Sequence, residues 1–210
     1  NAVAIAIKKI TNYDRVMVYR FDADYNGEVI AESKEEHLES FLGLHYSHTD
    51  IPVQARELYI KNHLRIIGDV NYKPVPLYTY AESHLNTLDM SYSVLRSVSP
   101  IHIQYLHNMG VGGTLTISLL HKGKLWGLIT CHHYSPKYLS QEIRNTVKLH
   151  GHFITSQIDV RLLNEEYEIA RKTNQAVENL ISKQLDFDRS SITQLFQDQS
   201  IIALCNSTGI

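Results

Sequence analysis

The sequence predicts an α+β domain, an antiparallel sheet flanked by helices and followed by one long helix. Three observations carry this. Residues 112–133, GGTLTISLLHKGKLWGLITCHH, alternate hydroxyl and apolar side chains and then turn at Lys122-Gly123, the pattern of a β-hairpin. Residues 15–21, RVMVYRF, and 28–33, EVIAES, make a second strand pair around the turn DADYNG. From Gln141 to about Leu185 there is no proline, and Ile143, Val147, Ile154, Ile158, Leu162, Tyr167, Ala170, Val177, Leu180 and Ile181 recur at mixed threes and fours, the spacing of a helix.

The remaining elements fall between these. NAVAIAIKKI reads as an amphipathic helix already under way, with Val3, Ile7 and Ile10 on one face. In DIPVQARELYIKNHL the run from Val53 to Leu64 reads as helix, with Asp50 placed to cap its start and Pro52 in its first turn. RIIGDV is a short strand, NYKPVPLYTYAESHLN a loop broken by two prolines, and roughly 91–108 a second helical stretch. The hairpin presents two unlike faces, Leu115, Ile117 and Leu119 for a core and Thr114, Thr116 and Ser118 opposite. The long helix exceeds what one small domain covers, so it is expected to run on as a connector and to pair with a partner helix. LDFDRSSITQLFQDQSIIALCNSTGI begins a new unit, and both ends read as cut from a longer chain.

Composition narrows the function. The chain has 210 residues, is 43% hydrophobic and 20% charged, and carries a formal charge of −2, which provides no basic field for nucleic acid. No apolar run is long enough to span a membrane and no signal peptide is visible, so a cytoplasmic location is expected. Two cysteines, Cys131 and Cys205, make no disulfide framework. Thirteen Tyr and 12 His stand against 1 Trp and 5 Phe. Tyr and His pair a flat ring with a hydrogen-bonding tip, which suits a pocket for a large conjugated polar ligand, although simple compositional drift gives the same counts.

VLRSVSPIH gathers Arg96, Ser97, Ser99 and His102 around one proline in an otherwise apolar run. Together with DIPVQARELYIKNHLRIIGDVNYKPVPL, LRSVSPIHIQYLHNMGV and GKLWGLITCHH, it resembles the chromophore-binding GAF domain of a phytochrome, and most nearly a bacterial phytochrome. The resemblance runs from about residue 10 to 165; the residues after 165 resemble the connecting helix and the first residues of a PHY domain. It implies a GAF domain over 1–163 with a PAS domain missing before it, a connecting helix over 164–188 and the start of a PHY domain over 189–210.

The resemblance also implies a ligand, a linear tetrapyrrole (biliverdin), and a switch driven by light. Its propionates would be held by Arg65 and Arg96, helped by Ser99, Thr114 and Thr116, because guanidinium grips carboxylate with paired charged hydrogen bonds. Its pyrrole N–H groups would meet the backbone carbonyl of Asp50 in the Asp50-Ile51-Pro52 motif, with His102 on the other side of the ring nitrogens. Tyr19, Tyr46 and Tyr105 would line the pocket of the moving ring, His132 would donate to that ring's carbonyl, and Tyr59 would support the Asp50-Ile51-Pro52 segment. Asp50's side chain would meet an arginine on a tongue of the PHY domain.

Ile101 stands where plant and many cyanobacterial phytochromes carry the cysteine that attaches their bilin, so no thioether forms there. The attaching cysteine is expected N-terminal to this segment, as in biliverdin-binding bacterial phytochromes. Cys131 reads as a small buried hydrophobe, with ligand attachment the lesser reading. The parent chain is expected to be a two-component sensor histidine kinase that signals to a response regulator, and the long helix a homodimer contact. Two other readings are open. His45, His48, Asp50, His132 and His133 could form a metal site, although no established ligand spacing is present. The second is a GAF domain that binds a cyclic nucleotide or no ligand, which would not need Arg96, Ser99 and His102 together with Asp50-Ile51-Pro52, or else a degenerate phytochrome that has lost its bilin, against which the pocket residues stand intact.

Overall fold

The computed structural model describes residues 1–78, 88–94 and 96–182; the segment 189–210 expected to open a PHY domain, and Cys205 with it, lies outside the described residues. In chain order the elements are α1 (Ala2–Thr11), β1 (Arg15–Phe21), β2 (Gly27–Lys34), β3 (His45–Tyr46), α2 (Val53–Lys61), β4 (Leu64–Ile67), α3 (Pro100–Asn108), β5 (Gly113–His121), β6 (Lys124–His133) and α4 (Gln141–Ser182). The strands form one sheet in the order β3-β2-β1-β6-β5-β4, with every neighbouring pair antiparallel. Lys122 and Gly123 have φ of 49° and 75°, the left-handed pair that a two-residue hairpin turn needs.

The chain divides into two units, Asn1–Gln157 and Ile158–Ile210. The first holds the sheet and its helices. The described part of the second is the continuation of α4 to Ser182. No helix among the described residues is long and apolar enough to cross a membrane.

Residues directly opposite in antiparallel strands share a face, so the register sorts the sheet into two surfaces. One carries Val16 and Val18 of β1, Leu115, Ile117 and Leu119 of β5, and Ile129 and Cys131 of β6. The first half of α4 packs on this apolar surface. Val147 is fully buried, Gly151 sits so close to Ile117 that an added Cβ would come within 2.5 Å of its methyl, and Thr155 Oγ1 accepts from Leu120 N at 3.4 Å. The other surface carries Arg15, Met17 and Tyr19, then Arg65 and Ile67, then Thr114, Thr116 and Ser118, and finally Leu128, Thr130 and His132. Helix α2 is tied to it where Ser118 Oγ donates to Tyr59 O at 2.7 Å. Helix α3 packs on it through Leu106, which joins Ile67, Val70 and Val111 in a small core.

Three local expectations need correction. Asp50 does not cap α2: the N-cap is Pro52, and no side chain caps the helix. Helix α2 stops at Lys61 rather than Leu64, because Asn62 leaves the helical region and its Nδ2 donates back to Leu58 O and across to Ser91 O. The helix expected over 91–108 occupies only Pro100–Asn108. The carbonyls of Ser93, Val94 and Arg96, which a helix would use internally, instead accept from the guanidinium groups of Arg96 and Arg65, and the residue before a proline avoids the helical region.

Candidate functional site

The hydroxyl-bearing surface of the sheet is not open to water. Thr114, Thr116 and Ser118 are all buried, as is His132, although each carries a polar side chain. Such groups are buried at a cost unless they find partners, so this wall is built for polar contacts. The register sets Arg65 beside Thr116, Thr114 beside His132, and His132 beside Arg15.

At the β4 end, Arg65 donates to Val94 O at 2.7 Å and Arg96 O at 2.6 Å, while Arg96 donates to Ser93 O at 2.9 Å. Burial, and then the neighbouring Arg96 charge, hold the Arg65 guanidinium below its ordinary value. Among the described residues neither arginine meets a carboxylate, so two cations share one corner. His102, on α3, is held below the ordinary imidazole value by burial and then by Arg65. Burial, then Arg15 and His102, push His132 down to about 4, so it is neutral at physiological pH. Its Nδ1 is buried and finds no hydrogen-bond partner among the described residues. A buried, neutral, unpartnered ring nitrogen beside a cationic corner suits a polar ligand.

The β3 end is aromatic. Tyr19 and Tyr46 lie with ring centroids 5.8 Å apart, and Tyr19 and Phe21 5.1 Å apart. Tyr105 stacks on His102 at 6.3 Å. Burial, then Tyr46, Asp50 and Tyr59, push the Tyr105 hydroxyl up to about 12; burial, then Tyr105, Asp50 and Tyr46, raise Tyr19 as well. The exposed carboxylate of Asp50 therefore acts on the tyrosines of both α3 and the sheet. Burial raises Tyr59 too, opposed by its hydrogen bond with Thr116 and by Arg65 and Arg96. Ile51, Tyr46 and Tyr59 pack on the same apolar cluster as Tyr19.

Three expected site residues are exposed. Ser99 is the N-cap of α3 and makes no capping hydrogen bond through its side chain, Pro52 is exposed at the head of α2, and Ile101 is 82% exposed in the first turn of α3. The five residues considered for a metal do not converge: His132 and His133 alternate to opposite sides of β6, and no group of three or more His, Cys, Asp and Glu among the described residues could hold a metal.

A model of the GAF domain family matches residues 1–152. The chain belongs to the GAF domain family. Among relatives this GAF domain is 51% identical over 168 residues to cyanobacterial phytochrome B of Nostoc sp., covering 79% of the chain and 22% of that protein. It is 47% identical to the chromophore binding domain of a Stigmatella aurantiaca phytochrome, with a TM-score of 0.71, over 74% of this chain and 51% of that one. The photosensory core module of a Stigmatella aurantiaca phytochrome superposes with a TM-score of 0.84 at 38% identity, over 98% of this chain and 41% of that one. The chain thus spans about a fifth of the curated relative's length.

In this GAF domain, Cys131 is fully buried on the apolar surface, across the sheet from His132. Cys131 thus sits as a small apolar side chain on the face opposite Thr114, Thr116 and His132. Several supporting residues carry no signal in the sequence. Arg56 Nη1 donates to His48 O at 3.1 Å and Ile51 O at 2.5 Å, and its guanidinium lies over Tyr25, so it pins the loop that carries Asp50. Asn26 Oδ1 accepts from His48 N at 3.1 Å in the same loop. Arg15, beside His132, is fixed by an ion pair with Glu32, by Glu39 O at 2.7 Å and by the Phe41 ring. The Tyr72 hydroxyl accepts from Val98 N at 2.7 Å and steadies the entry to α3. Apart from those of Arg56 with His48 and Ile51, these contacts join positions far apart in the chain, which no local spacing can announce.

Proposed function

We propose that this GAF domain binds a linear tetrapyrrole, biliverdin, and is the light-sensing part of a red/far-red photoreceptor. One observation carries the reading: a single buried sheet surface that, among the described residues, has two cations without carboxylate partners at one end, a neutral histidine with an unpartnered ring nitrogen in the middle, and a tyrosine cluster around Asp50 at the other. The chromophore and photosensory domains of its relatives support it. Bound biliverdin supplies light absorption and the double bond whose isomerisation is the switch.

The chain's own residues supply the rest. Arg65 and Arg96 would hold the propionates, with Ser99, Thr114 and Thr116 as hydroxyl partners. The Asp50 carbonyl and His102 would serve the pyrrole nitrogens. His132, being neutral, can offer one N–H and one lone pair, and would meet the carbonyl of the moving ring. Tyr19, Tyr46 and Tyr105 would shape the space in which that ring turns, and Ile101 leaves attachment to a cysteine N-terminal to this segment.

The same reading assigns residues 1–163 to the GAF domain, 164–188 to the connecting helix and 189–210 to the start of a PHY domain. The parent would be a sensor histidine kinase acting on a response regulator, with strain at Asp50 passed along α4. Leu149, Phe153, Val160, Leu163 and Tyr167 of α4 are exposed and spaced by four, seven, three and four, which supports a homodimer through this helix. The test is Asp50→His in the full-length parent. The expected outcome is a variant that takes up biliverdin, fails to convert stably and fluoresces more; normal photoconversion would refute the role given to Asp50.

A further inference from the structure

We propose that Gly27 is a positioning residue for Tyr19: it leaves the space on β2 in which the Tyr19 ring lies, and so keeps that ring out of the volume between the sheet and α3. The proposal rests on the reading of this surface as the bilin site.

The backbone does not explain a glycine at this position, since the positive-φ glycines among the described residues are Gly43, Gly110 and Gly123. Space does. A Cβ at Gly27 would fall 1.7 Å from Tyr19 Cζ and 1.9 Å from its hydroxyl oxygen, where carbon atoms need about 3.5 Å. The register explains the approach. A bulge between Val18 and Tyr19 sets Tyr19 opposite Val29, so Gly27 is its diagonal neighbour, within reach of an aromatic ring. Gly27 itself lies opposite Phe21 on one side and Tyr46 on the other.

The Tyr19 ring is therefore boxed. Phe21 and Tyr46 close it laterally at 5.1 and 5.8 Å, and Gly27 lies beneath its hydroxyl end. Its own backbone is held from the far strand, where a Cβ on Gly127 would come 2.4 Å from Tyr19 O. With an alanine at position 27 the ring has to shift by about 2 Å to reach ordinary contact; Phe21 and Tyr46 flank it, and the groups of other elements that act on its hydroxyl are Tyr105 and Asp50. Gly27 thus sets the shape of the aromatic end of the pocket without touching a ligand.

The test pairs Gly27→Ala with the same change in a Tyr19→Leu background, whose shorter side chain does not reach Gly27. In the ligand-free chain with labelled tyrosine, Gly27→Ala is expected to remove the Tyr19 ring NOEs to Phe21 and Tyr46. Biliverdin affinity, read by absorbance titration, is expected to fall about tenfold in the native background and to change by less than about twofold in the Tyr19→Leu background. Equal losses in both backgrounds would assign Gly27 to the strand rather than to Tyr19 and overturn the proposal, as would unchanged NOEs and affinity. If Gly27→Ala does not fold, folding of the double variant supports the proposal and its failure to fold overturns it. If the native chain takes up no biliverdin, the bilin reading fails, and the NOEs alone decide the role of Gly27.

Discussion

His132 illustrates how a single buried side chain carries a pH signature. Its imidazole titrates near 6.5 in the unfolded chain and is pushed down to about 4 in the folded one by burial and then by Arg15 and His102. Between those values the unfolded chain binds a proton at this site that the folded chain does not, so stability falls as pH drops from 6.5 toward 4, by on the order of 3 kcal/mol. His63, His102 and His133 are lowered too and act in the same sense. The expected result is a urea midpoint that declines from pH 7 to 4.5 in the ligand-free chain and declines less in His132→Gln; parallel curves would show that His132 is not held neutral by folding. Arg56 is a second case. Its guanidinium donates to two loop carbonyls, and charged hydrogen bonds of this kind contribute about 1.5–3 kcal/mol. Arg56→Met is expected to cost about 2 kcal/mol and to speed amide exchange over residues 48–52, measured by hydrogen–deuterium exchange.

The elements show what can be read in advance. The hairpin and the β1–β2 pair are legible because strand alternation and turn residues are local signals, and α4 because its apolar spacing persists for many turns. The two-residue β3 is not, being too short to have a period. Residues 91–94 and 96–99 read as helix and are not, because Arg65, from the β4 strand about 30 positions away, takes the carbonyls of Val94 and Arg96. At the site, the strand residues Arg65, Thr114, Thr116 and His132 follow from alternation once the register is known, whereas Arg56, Asn26 and Gly27 act through neighbours that sequence spacing cannot reveal. The buried hydroxyls of β5 offer an element-scale prediction. Thr114→Val with Thr116→Val keeps the β-branched shape that suits the strand and removes both hydroxyls. Biliverdin affinity is expected to fall about tenfold, at about 1 kcal/mol or less per hydrogen bond, while far-ultraviolet dichroism stays unchanged. An unchanged titration would remove these threonines from the site.

At the scale of the whole molecule, two faces of one sheet divide the work. The apolar face seats the first half of α4, and the opposite face carries the buried hydroxyls and His132, where the ligand is proposed. A change on the polar face is thus one sheet thickness from the helix that continues into the second unit. Leu149 and Phe153 are 55% and 63% exposed on α4, and Leu149→Lys with Phe153→Lys is expected to turn a dimer into a monomer in sedimentation velocity. The most direct measurement is an absorption spectrum of the full-length parent after adding biliverdin, before and after red light. The account predicts a red band that shifts under illumination and returns. A protein that takes up no biliverdin, or binds it with no red band, would contradict the assignment of this surface to a bilin.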